Sequence, residues 1–318
     1  MPVRLRPVRF APALLLAAAC AEPVEPPLPE PLRTVLVHRQ DTDENVLLNS
    51  DGSDGGVYLP GVTNVVPLGA SAAAQALVLL HGSAIVIGQL GQSGLDTILA
   101  APASLSLATI SDNERLVALV SLAPSRGLIV FDRANRAADT LDIGSIDPVL
   151  PPVLAPGDGR VVLFGATPTA FIATVLYLDD PTRIETTTLQ LARYGDFPIF
   201  GWPRWVEDGI HLAFVRVAAD GPDTLVVTRL SPDALDQPPE EQYRAVMAPG
   251  EGGQPELELG APSTYALAPD ARALALGAYP AAGAARHGIY LVTPSVARVQ
   301  PVRDQAPQFL MLPLFVRR

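Results

Sequence analysis

The sequence predicts an all-β fold, a β-propeller of six four-stranded blades closed by pairing of the N- and C-terminal strands, and three observations carry that expectation. From Thr34 to Arg318 the apolar runs are short, rich in Val, Leu and Ile, and bounded by Gly, Pro or Asp, with no sustained helical period. The 33 Pro and 25 Gly leave long helices almost nowhere to run. A hairpin signature also recurs: a turn acid or Gly, a basic residue or His, then an apolar strand, at Ile110–Ser121, Leu154–Ala166, Trp205–Val217 and Leu267–Tyr279. Each is followed by a second apolar strand ending in a polar turn, at Arg126–Arg136, Thr174–Arg183, Asp223–Asp233 and His287–Ser295. Four antiparallel strands repeated at such spacing make a propeller blade.

Composition bounds the rest. With 318 residues, 48% of them hydrophobic, the chain can bury a sizeable core. Its 33 acidic residues outnumber 22 basic ones, all Arg, for a net charge of -11. Phosphate affinity needs clustered cations, so nucleic-acid binding is not expected. Without lysine there is no P-loop or Schiff base, and no cofactor is expected.

Taken in order, residues 1–19 hold Arg4, Arg6 and Arg9, an uncharged stretch from Phe10, then Ala17, Ala18 and Ala19 ahead of Cys20, the one cysteine. That is the order of a secretory signal, too short to span a bilayer. A lone cysteine directly after the small residues resembles the lipobox of bacterial lipoproteins, although Ala17 stands where Leu is usual. The resemblance implies that Cys20 is acylated and that the mature chain is held on a membrane by its lipid. Ala21, where an Asp would retain many such proteins, implies an outer-membrane position facing the periplasm or cell surface. Residues 20–33 carry five prolines without apolar period and read as an extended tether.

Residues 34–318 are the propeller. Its innermost strands are expected near Val65, Ser104, Val149, Ile199, Ser263 and Gln308. The unit from Thr34 begins at its second strand, and Ala306–Leu312 supplies the missing first one, which leaves no free edge there. Six blades is the count, with five or seven open because the unit at 64–100 is weakly marked. Ser231–Gly260 reads as a long polar loop.

The segment Pro203-Arg204-Trp205-Val206-Glu207-Asp208-Gly209-Ile210-His211-Leu212-Ala213-Phe214 resembles the P-x-W-S-P-D-G-x-x-I-A-F repeat of TolB-type propellers, and Pro269-Asp270 keeps its P-D core. Asn49-Ser50-Asp51-Gly52-Ser53 is similar to their D-G-S turn. The likeness implies a non-catalytic scaffold that binds another envelope protein or a peptide. The alternative is an enzyme or carbohydrate-binding module with its site in the central channel.

No catalytic residue is assigned. There is no G-x-S-x-G elbow, Ser83 and Ser93 read as strand or turn residues, and the four histidines form no metal-binding pattern. His211 takes the Arg position of sister repeats and reads as a surface residue flanking a turn. Asp51 and Asp54 lie in a dense acidic stretch and are weak calcium candidates, solvated hairpin turns being the favoured reading. Trp205 reads as blade core, whereas Phe200, Trp202 and Arg204 form the candidate binding set, with Trp202 and Arg204 facing the channel at period two.

Overall fold

The computed structural model describes residues 33–316 apart from short intervals, the longer of which are 190–198, 217–223, 247–256, 259–263 and 281–286. Cys20, the preceding segment, the tether up to Leu32 and Trp202 lie outside the described residues. Leu32–Arg318 form one compact unit. Among the described residues no helix is long and apolar enough to cross a membrane.

Blade 1 contains β1 (Thr34–Arg39), β2 (Glu44–Asn49) and β3 (Asp54–Tyr58). Blade 2 runs through β4 (Val65–Ala70), β5 (Ala76–His81), β6 (Ala84–Gln89) and β7 (Leu95–Ala100). Blade 3 follows with β8 (Ser104–Ile110), β9 (Leu116–Ala123), β10 (Gly127–Asp132) and β11 (Ala137–Asp142). In blade 4 the strands are β12 (Val153–Leu154), β13 (Arg160–Ala166), β14 (Phe171–Tyr177) and β15 (Ile184–Thr188). Blade 5 has a divided innermost strand, β16 (Ile199–Phe200) and β17 (Arg204–Val206), then β18 (Gly209–Arg216), β19 (Thr224–Leu230) and β20 (Glu240–Val246). Blade 6 repeats that division with β21 (Leu257–Glu258) and β22 (Thr264–Leu267), before β23 (Leu274–Pro280), β24 (His287–Thr293) and β25 (Arg298–Ala306). The last strand, β26 (Leu310–Val316), returns to blade 1 and pairs with β1, Val316 opposite Thr34 and Phe315 opposite Val35. Six four-stranded blades result, closed by the two chain ends.

Three details depart from expectation. Ala306 belongs to the outer strand β25, so closure uses the apolar run from Leu310 instead of Ala306–Leu312. The innermost strand of blade 4 begins with an isolated Pro148–Gly165 bridge and becomes regular only at Val153. Pro148, Pro151 and Pro152 lack the N–H that a ladder needs. Ser231–Gly260 is not one loop, because it contains β20, in which Tyr243 packs against the core while Glu240, Glu241 and Arg244 are exposed.

His211 also departs from the reading, being 7% exposed. The sister residues Arg115 and Arg160 stand just before or at the start of their strands, whereas β18 starts at Gly209 and carries His211 into the sheet.

Successive residues of the middle strands are buried without alternation, as in Ala76–Leu79 and Val161–Phe164, because each blade is covered on both faces. Six clusters of buried side chains fill the six interfaces. Between blades 4 and 5, Phe164 and Val175 meet Trp205, Ile210 and Leu212. Between blades 6 and 1, Ala275 and Ile289 meet Val35, Val37 and Phe315. Each fully buried Leu, Ile or Phe contributes about 1.5–3 kcal/mol relative to exposure. Polar ties add direction at the rims: Asn113 Nδ2 donates to Asp158 at 2.6 Å, and Arg160 pairs with Asp233 at 2.7 Å.

Candidate functional site

The innermost strands converge on the axis around a cavity of about 50 Å³. Gly69 and Ala70 of β4, Ala108 and Ile110 of β8, Val153 of β12 and Ala266 of β22 give it small or aliphatic walls. At Gly69 the strands approach so closely that a Cβ would lie 2.7 Å from the Ala108 carbonyl oxygen. Pro151 and Pro203 also line the cavity, beside the breaks in the inner strands of blades 4 and 5.

Arg204 projects from β17, directly after Pro203, and is the cation of this lining. Its neighbour Trp205 is 8% exposed in the core, with the Arg160 guanidinium 5.5 Å from its ring centroid. Arg204 itself is half-buried. Burial pushes its pKa down to about 10, against the opposing attraction of Asp112 and Asp270, so it remains charged at neutral pH. Among the described residues it makes no hydrogen bond and no ion pair.

The two aspartates come from equivalent turns. Asp112 lies between β8 and β9, and Asp270 between β22 and β23. Asp270 is held by Arg33 through a paired contact, Nη1 to Oδ1 at 3.2 Å and Nη2 to Oδ2 at 2.9 Å. Burial raises the Asp270 pKa, and the Arg33 hydrogen bond, the Arg272 N–H and the charges of both arginines together outweigh it and leave it below its ordinary value. Thr34 and Val316 pair on this same face, so the chain ends and the aspartate turns share one side of the ring.

The structure therefore brings Arg204 to the channel. Phe200 lies in β16, opposite Phe214, and its side chain, like Trp202, is outside what is described. Asp51 accepts hydrogen bonds from Ser53 N at 2.9 Å and Ser53 Oγ at 2.5 Å, which hold its carboxyl below the ordinary value. Asp54 opens β3. Among the described residues no three metal-ligating side chains gather. Sequence reading passed over Asp112 and Asp270 as turn acids. Their recurrence directly after the inner strands was the available sign that they would meet near the axis.

No family model matches the chain, and no curated protein matches it. Solved structures do. A protein described as a TolB from Agrobacterium tumefaciens aligns at 11% identity and TM-score 0.48, over 86% of this chain and 89% of that one. TolB from Acinetobacter baumannii aligns at 12% identity and TM-score 0.46, over 82% of this chain and 65% of that one. Oligogalacturonate lyase from Vibrio parahaemolyticus aligns at 11% identity and TM-score 0.47, over 85% and 84%. The class of the protein, a six-bladed β-propeller, rests on its own strand pairing.

Proposed function

We propose that the protein is a membrane-anchored envelope lipoprotein whose propeller is a non-catalytic protein- or peptide-binding scaffold, with the channel mouth at Arg204 as its receiving point. The observation that carries this reading is the unpaired guanidinium in a cavity of about 50 Å³ with mostly small and apolar walls. A pocket that encloses a small-molecule substrate measures roughly 300–1,000 Å³. The channel takes the tip of an inserted chain, and a carboxylate there would satisfy the guanidinium fork. The order of Arg4, Arg6 and Arg9, the apolar stretch, Ala17–Ala19 and Cys20 supports anchoring through Cys20 at the outer membrane. Because Thr34 shares a face with Asp112 and Asp270, a partner would meet the ring on the face that carries the start of β1.

A photoreactive phenylalanine in place of Thr109, which lines the channel, should form a discrete cross-linked adduct in intact cells, lost on adding Arg204→Met. The same group at Ile184, exposed on the outer edge, should not form it. Equal adducts at both positions, or indifference to Arg204→Met, would refute the scaffold reading, and turnover of a small substrate abolished by Arg204→Met would replace it with an enzyme. Radiolabelled palmitate should enter the protein and disappear in Cys20→Ala; label retained in that variant would discard the anchor.

A further inference from the structure

Between blades 1 and 2 lies a groove of about 660 Å³ that shares no lining residue with the channel. Leu47, Leu59 and Leu90 give it apolar walls, and Val57, 39% exposed, stands at its rim. Around them are Tyr58, Gln75, Gln89 and Gln92. No described residue lining the groove is charged, in a chain whose net charge is -11.

The polar groups lack internal partners. Tyr58 is 4% exposed, and its hydroxyl has no hydrogen bond among the described residues. Burial pushes its pKa up to about 12, so it is a neutral donor and acceptor. Gly88 leaves room for that hydroxyl, since a Cβ there would sit 2.1 Å from it. The side-chain amides of Gln75, Gln89 and Gln92 are likewise without a partner among the described residues. Two backbone bonds, Leu90 N to Gln75 O at 3.0 Å and Gln92 N to Gln89 O at 3.1 Å, bring the start of β5 beside the turn that follows β6. Leu59, a bulky residue at φ 54, is held in the left-handed region at the same groove.

We infer that this groove binds a neutral oligosaccharide, whose hydroxyls bond the three amides while its C–H faces rest on the leucines. The choice follows from the donor set. An amide supplies two donors and an acceptor, which matches adjacent sugar hydroxyls that both give and take. A charged ligand would lose its hydration without meeting a counter-charge. A purely apolar occupant would bury the amides unpaired, at about 1–3 kcal/mol for each group. An extended peptide spreads its polar groups along about 3.3 Å per residue, whereas these amides are grouped at one end of the β5–β6 pair.

The test is a titration of isotope-labelled full-length protein with chitotetraose, cellotetraose and maltotetraose, followed through the side-chain amide NMR signals of Gln75, Gln89 and Gln92. A short blocked Ala-Ser peptide is the comparison. At least one tetrasaccharide should shift these signals and saturate. The double variant Gln75→Ala/Gln92→Ala, at exposed positions, should bind it at least about tenfold more weakly with unchanged Tm. Tyr58→Phe removes an unpaired buried hydroxyl that a ligand in the groove does not reach, so it should leave binding unchanged while Tm stays equal or rises. No shift with any tetrasaccharide at about 10 mM, undiminished binding by the double variant, or a response to the peptide alone would overturn the inference.

Discussion

Gly69→Ala tests the geometry of the ring where it is tightest. The added Cβ would lie 2.7 Å from Ala108 O, 3.3 Å from Ala108 C and 3.3 Å from Thr109 Cα. All three are backbone atoms, so no side chain can rotate away. Restoring an ordinary contact of 3.4 Å requires β4 and β8 to part by 3.4 minus 2.7, or 0.7 Å, at that point. Overpacking of this kind costs about 1–3 kcal/mol, offset by the roughly 0.4–1 kcal/mol that alanine gains by restricting the unfolded chain. Because the obstacle is backbone, a net loss of about 1–2.5 kcal/mol is expected, a fall of roughly 2–5 °C in Tm for a domain this large. Gly94→Ala is the control, since nothing lies within 4 Å of its Cβ position, and it should leave Tm nearly unchanged. Calorimetry of the two variants decides the matter. If both melt together, the inner strands are not in the close approach described.

Deleting residues 310–318 removes β26 and should abolish cooperative unfolding, because β1 then presents an open edge and Phe315, 3% exposed, leaves the interface between blades 6 and 1. Size-exclusion chromatography should show oligomers, and a monomer with a wild-type melting curve would contradict closure by the chain ends. Asp132 should titrate at about pH 2, since the Arg115 hydrogen bond lowers its pKa, against desolvation, with help from the amides of Ala134 and Asn135. A carboxyl pKa lowered by folding stabilises fully above the unfolded value near about 4 and loses that contribution as pH falls through the folded value. Carbon NMR of the carboxyl should therefore show Arg115→Met moving the midpoint upward; an unchanged midpoint would mean that Arg115 is not its cause.

The blades were legible where both faces of a strand are buried. Such strands must be apolar throughout, as in Ala76–Leu79, and each is marked off by the residues its turn requires. Closure was legible because β1 has no preceding partner and an unused apolar strand remains at the other end. Outer strands were harder to read. Every residue of Ala137–Asp142 except Leu141 is exposed, and in Glu240–Val246 the signal reduces to Tyr243, so a polar strand looks like a loop. Burial of His211 was hidden for a different reason, a shift of strand start by a residue or two relative to its sister repeats.

The channel depends on distances that local sequence does not express. Gly69, Ala108, Val153, Arg204 and Ala266 stand on five blades and meet only when the ring closes. Arg204 alone was legible, because it alternates with a buried Trp205 on one short strand, so a cation was bound to face away from the core. Pro203 directly precedes β17, which begins with Arg204. Asp112 and Asp270 stand close enough to favour the charge without bonding it, the latter already occupied by Arg33. A guanidinium so placed has carboxylates near it but no hydrogen-bonded partner among the described residues, which is the condition that favours a ligand bringing acceptor oxygens.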